Sequence, residues 1–256
     1  MKRLKLLSFV VLALLAASNA SNANTDLLTA DDLVGVSFWV ISMGLLAATA
    51  FFFFERRSVS TNWRITLTVS GIITGIAFIN YLYLRNVYVS QGEATTLYRY
   101  IDWIITMPLQ MIQFYLILAA VRKVPKSLFW KLLIGTVVMV LAAYLGASEN
   151  IPTIIGLTIS IGAWVYILYE IFSGEAGIAV SKSGNKPMVS AYVSMRTIVI
   201  AGWAIYPLGY VFAYITNSAD DNLLNIVYNM ADFINKIAFG LIIWTAAMQN
   251  TTTRNR

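Results

Sequence analysis

The sequence predicts an all-α membrane protein, a bundle of seven transmembrane helices with the N-terminus outside and the C-terminus cytoplasmic. Hydrophobic residues make up 59% of the 256 and charged residues only 12%, against roughly 45–50% and about 25% in a soluble domain. The charges gather in short connections between long apolar stretches, and the basic ones favour alternate connections. This composition excludes a solvated globular enzyme. Cysteine and histidine are both absent, which removes thiolate and imidazole metal sites and the commonest general base. A net charge of +6 on so few charged residues fits an orientation signal better than a nucleic-acid surface.

Residues 1–23 read as a cleavable signal peptide. Lys2, Arg3 and Lys5 precede an apolar run from Leu6 to Ala17, and Ser18 to Ala23 are small or polar, as signal peptidase requires. The apolar run is shorter than the roughly 17–25 residues of a span. Residues 24–256 then form one seven-helix membrane domain with its mature N-terminus near Asn24 outside.

Five stretches, 33–54, 65–84, 132–148, 150–169 and 197–219, carry no charge, while 100–121 holds Asp102 and 222–253 holds Asp232 and Lys236. Backbone groups in lipid must be paired internally, so stretches of this length form helices; barrel strands would be about 9–11 residues long. Arg56, Arg57 and Arg64 follow 33–54, Arg122, Lys123, Lys126 and Lys131 follow 100–121, and Lys182, Lys186 and Arg196 follow 150–169, with Arg254 and Arg256 at the end. Those connections are cytoplasmic by the positive-inside rule, so the C-terminus is inside. The longer connections are expected near Asn86–Tyr98 and Gly174–Val189. No internal repeat supports a repeat-built transporter.

A charge at the centre of a span costs about 2.5–3.5 kcal/mol, so Asp102, Asp232 and Lys236 mark a functional site and should be paired. Asp232 and Lys236 are four residues apart and share a helix face. Arg99 precedes Asp102 by three residues, so the four charges sum to zero in one expected cluster. On residue types alone this cluster fits a structural ion pair, a lysine that condenses with an aldehyde, or a proton or cation transporter.

Three blocks go further: Arg99-Tyr100-Ile101-Asp102-Trp103 with Thr106 and Pro108, Gly202-Trp203-Ala204-Ile205-Tyr206-Pro207, and Tyr228-Asn229-Met230-Ala231-Asp232-Phe233-Ile234-Asn235-Lys236. In this order they resemble the microbial rhodopsins, and within them the proteorhodopsins of the blue-absorbing type, with an Asp102-Thr106-Gln113 motif. The resemblance spans all seven stretches. It implies all-trans retinal on Lys236 as a protonated Schiff base, Asp102 as main counterion and proton acceptor, Asp232 as second counterion and Arg99 as exit gate. Thr106 is expected on the Asp102 carboxylate. The implied pocket is Trp103, Trp203, Tyr206 and Pro207, with Met139, Trp164 and Tyr228, and Gln110 is the implied colour-setting residue.

Two positions depart from the family pattern. Gln113, on the Asp102–Thr106 stripe, stands where pumping relatives usually carry a proton-donating acid, and an amide cannot supply that proton. Asn80 stands where the family commonly has a histidine on the acceptor carboxylate. The expected function is a light-driven outward proton pump with a slow photocycle; the alternative is a slow-cycling sensory photoreceptor. The implied location is the bacterial inner membrane. Implied partners are the bilayer, protons, a homo-oligomer (pentamer or hexamer, with Trp39 and the Asn80 region as contacts), and at most a transducer or carotenoid.

Overall fold

The computed structural model describes residues 32–92 and 96–254; the expected signal peptide lies outside them. Seven helices among the described residues are long and apolar enough to cross a membrane: α1 Leu33–Glu55, α2 Thr61–Gln91, α3 Arg99–Val121, α4 Lys126–Ala147, α5 Thr153–Ser181, α6 Lys186–Ile215 and α7 Asp221–Thr252. Consecutive helices pack side by side from α1 to α5, and α7 closes the bundle against α1, α2 and α6.

Start and stop chemistry sets the ends. The Asp32 carboxylate accepts the Gly35 N–H at 2.9 Å at the start of α1, and Asp220 accepts that of Leu223 at 2.9 Å before α7, satisfying donors that a helix start leaves free. α2 stops at Gly92, whose φ of 76° places it in the left-handed region that glycine enters without cost.

Two connections are shorter than the sequence suggested. α2 runs on to Gln91, into the expected loop at Asn86–Tyr98. The expected loop at Gly174–Val189 is largely helical: Glu175–Ser181 forms a short helix, and α6 starts at Lys186 rather than at 197. The Asn185 side chain accepts the Met188 N–H at 2.9 Å and Pro187 sits in the first turn, a start signal that a search for charge-free runs passes over.

The interior is largely apolar, as in a soluble protein, but so is the outer surface. Val40, Ile65, Ile79, Ile134, Val165 and Leu208 are exposed, whereas Thr66, Ser70, Thr74, Asn80, Asp102, Gln113, Asn229, Asp232 and Lys236 are buried. Lipid contacts the apolar shell, and the polar side chains are gathered where they can pair with one another.

The helices α4 and α5 approach closely through glycine. A Cβ on Gly156 would lie 2.7 Å from both the Ala142 carbonyl oxygen and the Gly146 Cα, backbone atoms that cannot swing aside, so the pair is a small-residue contact of the kind that lets membrane helices meet. Gly156→Val is expected to destabilise the bundle by about 1–3 kcal/mol, read as a lower SDS midpoint of unfolding; an unchanged midpoint contradicts this packing.

Candidate functional site

The buried charges of α3 and α7 meet in the centre of the bundle. The Lys236 ammonium donates to Asp102 Oδ2 at 2.6 Å and to Asp232 Oδ2 at 2.8 Å, and all three side chains are 1–2% exposed. Lys236 is carried on a π-helical turn, Ile234–Ala238, whose wider winding disturbs the regular pairing of backbone carbonyls. One of them, that of Asn235, accepts from Gln110 Nε2 at 2.9 Å. The Asn235 side chain in turn donates to the Gly202 carbonyl at 3.2 Å and to the Tyr206 hydroxyl at 3.0 Å. Gly202 is required here, because a Cβ at that position would collide with Asn235 Oδ1.

The two carboxylates differ in their surroundings. Asp232 accepts from Tyr206 at 2.6 Å, from Tyr81 at 2.9 Å and from Trp103 Nε1 at 3.3 Å, besides Lys236. Asp102 accepts from Lys236 through Oδ2, while its Oδ1 is buried with no hydrogen-bond partner among the described residues.

One expectation for this centre is corrected. Arg99 forms no ion pair with either aspartate; it donates to the Tyr81 hydroxyl at 3.0 Å, which in turn donates a hydrogen bond to Asp232, and to Asn225 Oδ1 and Asn229 Oδ1 at 2.8 and 2.7 Å. The expected four-charge cluster is therefore an ion triad joined to Arg99 through a phenol. Thr106 lies one turn along α3 and donates to the Asp102 backbone carbonyl at 3.1 Å, as a threonine inside a helix can to the carbonyl four residues earlier. Asn80 is buried, but its Nδ2 has no partner among the described residues, so it does not bond the acceptor carboxylate.

Beside the triad lies an apolar cavity between α3, α4, α5 and α6. Its lining includes Trp103, Met139, Trp164, Trp203, Tyr206 and Pro207, all expected, together with Tyr100, Met107, Val140, Ala143, Leu157, Ser160, Ile161 and Tyr210. Gln110 and Tyr228 are not on this wall. Gln110 is turned to the Asn235 carbonyl, and Tyr228 packs behind Trp103 and Tyr206, with ring centroids 5.6 and 5.9 Å away. A flat, lipophilic conjugated chain suits such a slot, and a lysine beside it between two carboxylates suits a cationic nitrogen. The free ammonium here stands in for that cation.

The remaining predicted residue, Gln113, is buried further along α3 and donates to Ser70 Oγ at 2.7 Å and to the Thr66 carbonyl at 3.3 Å. It is fixed to α2, on the opposite side of the triad from Arg99.

The model of bacteriorhodopsin-like proteins matches residues 32–250. The chain belongs to the bacteriorhodopsin-like family. It is 48% identical over 223 residues to blue-light absorbing proteorhodopsin of Gamma-proteobacterium Hot 75m4, covering 86% of this chain and 88% of that one. Over 226 residues it is 47% identical to green-light absorbing proteorhodopsin of Gamma-proteobacterium EBAC31A08, covering 88% and 90%. The crystal structure of blue light-absorbing proteorhodopsin from Med12 superposes with a TM-score of 0.73 at 45% identity, over 85% of this chain and 98% of that one. Exiguobacterium sibiricum rhodopsin gives 0.77 at 32% identity, over 86% and 98%. As a bacteriorhodopsin-like protein with seven spans and proteobacterial relatives, the chain is a multi-pass protein of the bacterial inner membrane, and its family implies a retinal chromophore.

Sequence reasoning missed Tyr81 and Asn225, and gave Asn229 and Asn235 no role beyond the motif that contains them. Tyr81 had no signal beyond its place next to Asn80, although it joins Arg99 to Asp232. Tyr81→Phe leaves an Arg99 donor unpaired in the core and is expected to cost about 1–3 kcal/mol of stability; a denaturation midpoint equal to that of the unsubstituted chain contradicts the relay.

Proposed function

We propose that this bacteriorhodopsin-like protein is a light-driven outward proton pump that holds all-trans retinal on Lys236, and that its photocycle ends slowly because Gln113 cannot donate a proton. The observation that carries this reading is the Lys236 ammonium held 2.6 Å from Asp102 and 2.8 Å from Asp232 in a buried centre beside the aromatic cavity. The name of its 48% identical relative, a blue-light absorbing proteorhodopsin, supports it.

Trp103, Trp203, Tyr206, Pro207, Met139 and Trp164 would hold the retinal. When bound, that group supplies light absorption and a bond rotation that reorients the nitrogen of Lys236. The chain's own residues set where the proton goes. Asp232 has its lone pairs occupied by Tyr81, Tyr206, Trp103 and Lys236, so taking a proton there breaks existing hydrogen bonds. Asp102 Oδ1 has none to break, and Asp102 accepts the proton from Lys236 Nζ. With the positive-inside orientation, Arg99 and its partners Tyr81, Asn225 and Asn229 face the outer exit, and Gln113 faces the cytoplasm.

The Gln113 amide binds Ser70 and Thr66 but has no acidic proton to give. A proton must then reach Lys236 from the cytoplasm itself, and the late phase slows in proportion as cytoplasmic proton concentration falls. The same amide favours a second reading, a slow sensory photoreceptor; Sensory rhodopsin-2 of Natronomonas pharaonis is 32% identical over 84% of this chain.

Illumination of intact cells expressing the chain with added retinal separates the two. The pump acidifies the medium, the signal vanishes with a protonophore, and Asp102→Asn abolishes it; a coloured protein that leaves external pH unchanged contradicts pumping. Gln113→Glu is expected to accelerate the late phase by about tenfold or more and to flatten its dependence on cytoplasmic pH. A late phase already independent of that pH in the unsubstituted chain contradicts the assigned role of Gln113.

A further inference from the structure

Between Gln113 and Lys236 the route from the cytoplasm is closed by rings. Phe114, next to Gln113 on α3, lies 5.0 Å from the ring of Tyr192 on α6 and 5.8 Å from that of Phe239 on α7, both edge-on. Phe239 is three residues past Lys236, and all three rings are 0% exposed. A proton relayed by water cannot cross such a plug while it is packed, since apolar walls without polar partners do not hold water. Tyr192 differs from the two phenylalanines in carrying a hydroxyl. That hydroxyl leaves the plug and donates at 2.9 Å to the Ile171 carbonyl of α5, close to the step at Ser173–Gly174, where a helix end leaves carbonyls without intrahelical partners.

The same stretch of α6 has a hinge on its inner side. Lys186–Thr197 is regular α-helix, and Ile198–Gly202 immediately after it is π-helical, a widened turn at which helices bend. Arg196 reinforces the closed arrangement by stacking 4.4 Å from the Phe172 ring of α5 and 5.4 Å from that of Tyr192. The cytoplasmic arm of α6 is thus pinned to α5 by one phenol and one guanidinium stack, with a bend point between the pin and the Trp203 wall of the cavity.

We propose that Tyr192 is a positioning residue for the proton-uptake step: its hydroxyl latches the cytoplasmic arm of α6 to the Ile171 carbonyl, and release of that latch parts the Phe114–Tyr192–Phe239 plug so that a proton reaches Lys236. The inference rests on the pump reading above. Its weight comes from Gln113, since an amide at that position leaves proton uptake dependent on access from the cytoplasm.

Tyr192→Phe keeps the ring in the plug and removes only the latch. In the full chain with retinal in lipid vesicles, the substitution is expected to leave the dark absorption band in place and to shorten the late phase about fivefold, the rate equivalent of one neutral hydrogen bond. The chain has no cysteine, so spin labels on Tyr169→Cys and Val193→Cys, both exposed positions, report the α5–α6 separation directly. Y192F should widen the light-induced separation beyond that of the unsubstituted protein, a change that a merely structural hydrogen bond does not produce. A chain that absorbs light yet moves no protons overturns the pump reading and the latch with it. A pumping chain whose late phase Y192F leaves unchanged or slows overturns the latch alone.

Discussion

The structure is organised around one amine held between two carboxylates in a place with no access to bulk water. A buried charge is tolerated only when paired and hydrogen-bonded, and satisfying Lys236 fixes much of the rest. Asp102 must come from α3 and Asp232 from α7 at the same depth. Tyr81, Tyr206 and Trp103 must then converge on Asp232, which ties α2, α3 and α6 to α7. The π-helical turn that carries Lys236 is secured by Gln110 and by Asn235 against Gly202.

On either side of this centre the chain uses opposite chemistry. Toward Arg99 the interior is a connected set of hydrogen bonds, in which the terminal nitrogens of a guanidinium donate to a phenol and two amides. Toward Gln113 it is a set of edge-on rings followed by a short polar contact with α2. A path rich in groups that can exchange protons on one side and a plug of buried rings on the other is the asymmetry on which the proposed directional transport rests. Direction then comes from the asymmetry of the walls, and the amine at the centre need only change the side it faces.

Much of the architecture was legible in the sequence because lipid imposes a simple rule: long runs without charge must be helices, and the few charges left inside must meet. Asp102, Asp232 and Lys236 followed from that rule alone, and the aromatic wall from the matching motifs. The failures have equally physical causes. Arg99 was expected in the ion cluster because the helical period aligns it with Asp102, but the period says nothing of a tyrosine from another helix that intercepts the guanidinium. Gln110 was expected at the cavity but donates across to the Asn235 carbonyl on the π-helical turn of α7. Helix starts such as Lys186 lay outside the charge-free windows.

The central claim, that the Lys236 nitrogen is where the chromophore is joined, is tested most directly by chemical trapping. Purified chain is mixed with all-trans retinal, reduced with borohydride under illumination and digested, and the mass of each peptide is measured. The structure predicts a visible absorption band before reduction and a single retinyl adduct on the peptide that contains Lys236. A protein that stays colourless with excess retinal, or an adduct confined to surface lysines such as Lys123 or Lys182, contradicts it.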